Sequence, residues 1–342
     1  MKENKGKKIL DFIIKTMNGM AYGLFATLII GTILSTIASF LTDGSYIEVA
    51  LSSLSTVLKL LTGAGIGIGI ALSLKQEGLS LIATAATGQI ATYMSVPYGF
   101  KIGDPLVIYL VVVFTVLLCR LILKRKTPVD IIIIPLLYVI ISTIITLLIS
   151  PYVSLVTTKI GEFIHIATAY QPFIMGIIIA VIMGMALTAP ISSAAIALMI
   201  TLNGIAGGAA VVGCSVQMIG FAIMSRKDNN IGTVLSVAFG TSMLQFKNIL
   251  RKPIIWVPTI VVSAILGPVA TLVFHTNCSE FGAGMGTSGL VGPIFTLSTM
   301  EYSLNGWLSV ILLMIVLPAI LVLIVDIIFR KKQLIKDGDL KI

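Results

Sequence analysis

Charged residues are scarce in this chain: Asp, Glu, Lys and Arg together make up 11% of its 342 residues. About a quarter of a soluble domain is charged, so the composition excludes an ordinary soluble globular protein. Hydrophobic residues make up 57%, and apolar runs of membrane-spanning length recur along the whole chain. Such continuous runs indicate helices rather than the alternating strands of a membrane barrel. We therefore predict an all-α polytopic membrane protein.

Residues for metal, redox or nucleophilic chemistry are also few. The three cysteines, Cys119, Cys214 and Cys278, show no CxxC or metal-ligand spacing, and the two histidines, His165 and His275, are far apart. The sequence contains no Ser-His-Asp order, P-loop, HExxH or paired-carboxylate motif. We therefore expect no cofactor, no metal and no enzymatic activity of the chain on its own.

The formal net charge of +9 comes from basic residues in short loops and near the two ends. This distribution is typical of membrane topology signals and of contact with anionic lipid, so we expect no nucleic-acid partner. In one consistent topology, all but three of the 23 Lys and Arg lie on the same side. The exceptions are Lys59, Lys101 and Lys159. The positive-inside rule then predicts cytoplasmic N- and C-termini.

Apolar runs and their polar breaks predict the membrane spans. The ordinary spans are 20–41, 47–73, 79–95, 105–123, 129–150, 172–189, 205–225, 254–274 and 307–329. For the basic loops to lie on one side of the membrane, 190–203 must cross once as a short broken element. For the same reason, 283–300 must enter and leave on the outer side as a re-entrant hairpin. The total is about ten transmembrane helices in a single membrane domain, 1–342. A loop at 151–171 would link two halves, 1–150 and 172–342.

The glycine-rich run from Gly282 to Gly292 reads Gly-Ala-Gly-Met-Gly-Thr-Ser-Gly-Leu-Val-Gly. Glycine weakens helices, and broken backbone at membrane depth survives only inside protein or along a water-filled cavity. The hydroxyls of Thr287 and Ser288 and the backbone of Gly286 and Gly289 suit a neutral polyhydroxylated ligand, or an anion held by N–H donors. Tight packing of small residues between helices is the alternative interpretation.

Asn203, Gly207, Ala210, Cys214 and Gln217 recur at steps of four and three, which places them on one helical face. The residues in the middle of this face are small, and those at its two ends are polar. A polar side chain that faces lipid within a membrane carries a high free-energy cost. Asn203 and Gln217 therefore bind either a solute or neighbouring helices.

Three further residues are candidate solute contacts. Gln245 follows the polar run Gly240-Thr241-Ser242, and His275 and Glu301 flank the 283–300 segment. A carboxylate accepts hydrogen bonds from sugar hydroxyls, and a histidine donates them or shuttles a proton. The alternative is that these side chains lie in solvated loops.

Four stretches together resemble a known family: Gly213-Cys-Ser-Val-Gln-Met-Ile-Gly-Phe-Ala, Gly240-Thr-Ser-Met-Leu-Gln, Ile265-Leu-Gly-Pro and Gly282 to Gly292. They resemble the membrane subunit IIC-like family of the bacterial sugar phosphotransferase system, in the branch that includes the perfringolysin O regulator PfoR. The resemblance implies a bacterial inner-membrane permease with re-entrant hairpins, usually a homodimer. It also implies a sugar or polyol as solute, phosphorylated by a separate subunit IIB.

The chain departs from the glucose-type subunits, which carry Gly-Ile-Thr-Glu-Pro with a sugar-binding glutamate. Here the corresponding residues are Gly286-Thr287-Ser288-Gly289, so no catalytic carboxylate is carried over. No fused IIA or IIB domain is expected, and phosphotransfer therefore requires separate partner proteins. The leading hypothesis is an alternating-access carrier of a small polar solute, with a pocket between 203–217 and 283–293. The alternatives are a membrane-embedded sensor or regulator without net transport and an ion-coupled carrier of small organic anions.

Overall fold

The computed structural model describes residues 5–42, 44–94, 96–98, 104–123, 127–168 and 170–342. Over these ranges the chain forms helices and turns and contains no strand, which confirms the all-α prediction. Within them, six helices are long and apolar enough to cross a membrane, or seven if one bent pair counts as a span. The chain is therefore a multi-pass membrane protein, and the total of about ten helices stays a prediction.

Contacts between residues divide the chain into two units, Met1–Val156 and Thr157–Ile342. The boundary falls inside a single 39-residue helix, Asp130–Thr168, which is α7 in the numbering below. The loop expected at 151–171 is thus helical for most of its length. Pro151 lies inside this helix, as proline can in apolar spans where neighbouring groups satisfy the freed backbone.

Over its described residues, the first unit contains six α-helices before α7. They are α1 (Lys5–Leu24), which continues through a π-turn (Phe25–Ile29) into α2 (Ile30–Ala38), then α3 (Tyr46–Leu60), α4 (Thr62–Ser73), α5 (Gly78–Tyr93) and α6 (Pro105–Ile122). Helix α4 packs against both α1 and α5. Gly19 and Gly23 of α1 allow the close approach, because a Cβ at either would lie within 2.3 Å of a backbone oxygen of α4.

The predicted span 47–73 is broken. Helices α3 and α4 meet at Leu61 with a bend of 51°. A side chain from α5 satisfies the backbone at the break: Gln89 Nε2 donates to the Leu60 carbonyl (2.8 Å), and its Oε1 accepts from the Ala64 N–H (3.1 Å). Backbone groups at the end of one helix and the start of the next lack hydrogen-bond partners within those helices. The Gln89 amide is the partner of one group on each side of the break.

The second unit is built around α10. Its elements after α7 are α8 (Pro172–Thr188), α9 (Ser193–Met199), α10 (Gly204–Ser225), α11 (Ile231–Leu235), α12 (Phe246–Arg251), α13 (Val257–Leu272), α14 (Glu280–Ala283), α15 (Val291–Thr299), α16 (Leu304–Leu308) and α17 (Leu317–Lys331). Helices α8 and α13 pack on α10 and on each other. Gly213 lets α8 approach, because a Cβ there would lie 2.0 Å from the Ala180 carbonyl oxygen.

Short non-α segments join several of these helices and matter for the site. A π-segment (Ser236–Gly240) and a 3-10 turn (Ser242–Gln245) connect α11 to α12, and a second 3-10 turn (Pro253–Trp256) leads into α13. Between residues 231 and 245 the chain therefore forms three short helical pieces rather than one continuous helix.

Both segments predicted to be broken are broken. Between α8 and α10 the chain forms only the seven-residue α9, whose start is capped by the Ser192 hydroxyl. Between α14 and α15 the helix is interrupted at residues 284–290. The sides of the membrane on which these segments enter and leave stay predictions.

Candidate functional site

Helix α10 is the most buried of the candidate membrane spans, with 18 of its 22 residues buried. Its small residues explain this, since they let neighbouring backbones pack directly on it. The predicted stripe of small residues faces the segment before α15. A Cβ at Gly207 would meet the Cys278 carbonyl oxygen at 2.3 Å, and Cys214 contacts Gly286. Gln217, the polar residue at the C-terminal end of the stripe, is fully buried.

The Gln217 amide lies within a cluster of five uncharged polar or aromatic side chains. The Gln217 cluster consists of Thr188 of α8, Gln217 of α10, Ser242, Trp256, and Thr259 of α13. The Gln217 Oε1 accepts hydrogen bonds from Trp256 Nε1 and from the Thr259 hydroxyl, both at 3.0 Å. The Thr188 hydroxyl donates to the same oxygen at 3.3 Å and lies 2.9 Å from the Ser242 hydroxyl.

The other end of this amide is unpaired. Over the described ranges, the buried Gln217 Nε2 has no hydrogen-bond partner. The amide cannot simply be turned over, because the indole N–H of Trp256 only donates and therefore faces the oxygen. A buried donor without a partner costs about 1–3 kcal/mol. Two N–H groups are thus held in place, ready for an acceptor.

The turn at 284–290 requires glycine at its centre. Gly286 and Gly289 both have φ of +53°, in the left-handed region, and Leu290 follows with φ of +61°. A Cβ at Gly286 would also lie 2.7 Å from the Cys214 backbone carbon. Glycine alone combines this dihedral with this close approach at low cost.

The hydroxyls of Thr287 and Ser288 are buried and hold this turn to the π-segment Ser236–Gly240. Thr287 donates to the Ala238 carbonyl at 2.5 Å, and Ser288 donates to the Gly240 carbonyl at 2.8 Å. The last carbonyls of a helical segment lack partners within it, so the two hydroxyls complete the segment. Each hydroxyl oxygen retains capacity to accept a hydrogen bond.

The turn and the Gln217 cluster are neighbours within the second unit. The Thr287 hydroxyl also lies 3.6 Å from the sulfur of Met218, the residue after Gln217. Gly240, which binds Ser288, is two residues before Ser242 of the cluster. The structure thus brings together Gln217 and the 286–289 group through one connecting segment.

The remaining predicted site residues lie elsewhere. Asn203 is exposed at the start of α10; it precedes Gln217 by 14 positions, which is about 21 Å of helix. His275 and Glu301 are exposed loop residues with positive φ. Gln245 is buried, but its Nε2 donates to the Leu340 carbonyl at 3.0 Å.

Sequence reasoning missed four members of the cluster: Thr188, Ser242, Trp256 and Thr259. Each comes from a different part of the chain than Gln217, so no local spacing joins them to it. One local signal exists: Trp256 is one of only two tryptophans and lies three positions before Thr259. Residues three apart share a helical face.

Residues 14–342 match the family model described as "Phosphotransferase system, EIIC". No curated protein and no solved structure matches the chain. Membership of this family implies a membrane sugar-transport subunit that works with separate IIA and IIB proteins. Because the match covers nearly the whole sequence, the chain belongs to the EIIC family of the phosphotransferase system.

Proposed function

We propose that this chain carries a neutral polyhydroxylated solute, a sugar or polyol, and that the solute binds at the Gln217 cluster beside the 284–290 turn. The unpaired Nε2 of Gln217 is the observation that carries this proposal. Its N–H groups fit a sugar hydroxyl as acceptor. The hydroxyls of Thr188 and Ser242 both donate and accept, as a polyol requires.

The chemistry of the cluster favours a neutral solute over an anion. All five of its side chains are uncharged, and a buried anion without a nearby cation is costly. Trp256 is only partly buried and brings an aromatic ring to the cluster. Ligand pockets typically combine such an apolar surface with a few placed polar groups.

The surrounding backbone supports movement of the solute by alternating access. Carrier sites are often built where helices are discontinuous, near the middle of the membrane. Two discontinuous segments meet here, the 284–290 turn and the 236–245 segment, joined by the Ser288–Gly240 hydrogen bond. Gln217 lies well inside α10, about 12 Å of helix from Ser225 at its end.

A thermal-shift measurement on the purified protein in detergent tests the proposal. Glucose, mannitol, glucose 6-phosphate and citrate serve as probes. A ligand at one hundred times its dissociation constant should stabilise the folded protein by about 2.7 kcal/mol. We expect a shift with glucose or mannitol that disappears in Gln217→Met.

Ser225→Ala is the matched control for this measurement. Ser225 is buried in the same helix, but its hydroxyl donates only to Ala222 of its own turn (3.1 Å), so the sugar shift should remain. A shift with citrate alone would favour the anion carrier. No shift with any probe in folded protein would favour the membrane-embedded regulator. A sugar shift that survives in Gln217→Met would place the solute elsewhere.

We also propose that the protein is a homodimer of the bacterial inner membrane with cytoplasmic termini. The basic residues support the orientation, since Arg226, Lys252 and Arg330, from three separate elements, all bind carboxylates of α17 or the segment after it. Light scattering of the detergent-solubilised protein tests the dimer. Labelling of a Lys341→Cys variant from each side of sealed vesicles tests the orientation.

A further inference from the structure

The C-terminal segment, residues 337–342, follows α17 and is bound by side chains from the ends of α10 and α12. Asp228, just after α10, accepts hydrogen bonds from two of its backbone N–H groups, those of Gly338 (2.9 Å) and Leu340 (3.1 Å). A single carboxylate thus fixes the turn of the segment.

Three side-chain amides bind the carbonyl oxygens of the same segment. Asn229 and Gln245 donate to Leu340 at 2.8 and 3.0 Å, and Asn248 donates to Lys341 at 3.1 Å. Asn229 also accepts from the N–H of Ile342 at 2.9 Å. We call the surface formed by Asp228, Asn229, Gln245, Asn248 and Lys252 the groove.

The groove recognises the backbone more than the side chains of its occupant. Asp228 and the three amides all bind main-chain atoms. Two side chains add contacts to the groove: Leu340 is fully buried, and Asp339 pairs with Lys252 at 2.5 Å. A third, Asp337, pairs outside the groove with Arg330 of α17 at 2.7 Å. A groove of this kind fits a peptide with the same turn, one apolar anchor and one carboxylate.

The groove is linked to the Gln217 cluster through the 3-10 turn Ser242–Gln245. Gln245, its last residue, binds the C-terminal segment, and Ser242, its first, binds Thr188 of the cluster. Phe246 follows directly, and its ring packs edge-on against Trp256 of the cluster with centroids 6.1 Å apart. One short turn therefore has the segment at one end and the cluster at the other.

We propose that the groove is a peptide-binding site occupied in cis by residues 337–342, and that its occupancy sets the geometry of the Gln217 cluster. With the segment bound, Gln245 is fixed and the 3-10 turn is held against Thr188. When the segment leaves, Gln245 and Asn248 lose the carbonyls of Leu340 and Lys341 and keep the hydrogen bond between their own side chains (2.7 Å). The turn is then no longer tied to the segment and is free to move. The segment is thus a regulatory element; its effect on solute affinity rests on the proposed function, whereas its effect on the cluster does not.

The fluorescence of Trp256 tests this coupling without any solute. The chain has two tryptophans, so Trp307→Phe leaves Trp256 as the single reporter. We expect truncation after Lys336 to move Trp256 emission to longer wavelength and to increase its quenching by acrylamide. A synthetic peptide of residues 334–342, added in trans, should reverse both changes.

Two controls make the measurement specific. The same peptide with Leu340→Asp should not reverse the changes, because it replaces the buried anchor with a charge. Lys341→Ala in the full chain should leave emission unchanged, because the Asn248 hydrogen bond to Lys341 is to its backbone carbonyl, which alanine retains. If the truncated chain does not fold, Leu340→Asp in the full chain replaces it, with release read from tryptic cleavage after Lys336.

Unchanged Trp256 emission after truncation, or after demonstrated release, would overturn the coupling. Failure of the unmodified peptide to restore emission would overturn the groove as a separate peptide site. Because no sugar is present, neither result depends on the solute proposal, whose own failure would appear in the thermal-shift measurement.

Discussion

Replacing Gly286 with alanine should destabilise the protein by two separable effects. The residue has φ of +53°, and left-handed backbone costs a non-glycine residue about 1–2 kcal/mol. The new Cβ would also lie 2.7 Å from the Cys214 backbone carbon and 2.9 Å from the Ser215 nitrogen. Overpacking of this kind costs about 1–3 kcal/mol. The sum predicts a loss of about 2–5 kcal/mol in the free energy of unfolding.

Gly204→Ala separates the two effects, because Gly204 belongs to the same unit and has φ of +61°. The nearest atom to a Cβ there is Asn277 Oδ1, at 3.9 Å. Gly204→Ala should therefore cost only the backbone strain, about 1–2 kcal/mol. Both variants are measured by reversible unfolding in mixed micelles, followed by tryptophan fluorescence. Equal losses in the two variants would refute the close approach of the 284–290 turn to α10.

Two further predictions concern the break in the first unit and the C-terminal segment. Gln89→Leu should lower the free energy of unfolding by about 1–3 kcal/mol, because it leaves the Leu60 carbonyl and the Ala64 N–H unpaired; unchanged stability would mean that the break does not need this side chain. Burial raises the pKa of Asp339, but hydrogen bonds from the Lys252 side chain and the Lys336 backbone N–H, together with the charges of both lysines, outweigh this and hold the pKa below its usual value. Because the folded-state pKa is lowered, this carboxylate stabilises binding of the C-terminal segment at pH values above its unfolded-state pKa. The contribution disappears as the pH falls through the folded-state pKa. Cleavage of the segment by pepsin, a protease that is active in acid, should therefore rise as the pH falls, and Asp339→Asn should flatten that dependence; a pH dependence unchanged by Asp339→Asn would contradict the assignment.

Parts of the site could be predicted because they carry local signals. The run Gly282 to Gly292 predicts a broken backbone, and Gly286 and Gly289 do have the positive φ that favours glycine. Gln217 stands out as a polar residue in an apolar span, and its burial follows from the small residues around it. Both inferences need only a few neighbouring residues.

Depth along a helix and contacts between helices could not be predicted in the same way. Asn203 and Gln217 share a face by spacing, yet they lie at different depths, so one small solute cannot contact both in this conformation. The donors to Gln217 from α8 and α13 are 29 and 42 positions away. The break at Leu61 has a local signal in the glycines at 63, 65, 67 and 69. The side chain that satisfies its backbone, Gln89, lies on another helix and could not be predicted from local spacing.

The central claim is that a sugar or polyol binds at the Gln217 cluster, and titration of Trp256 fluorescence tests it most directly. In a Trp307→Phe background, glucose or mannitol should change the Trp256 emission with a saturable dose dependence, because the indole N–H is bound to the Gln217 oxygen. Gln217→Met should abolish the response. Thermal stabilisation by the same sugar without any change in Trp256 emission would contradict the claim and place the solute at another site.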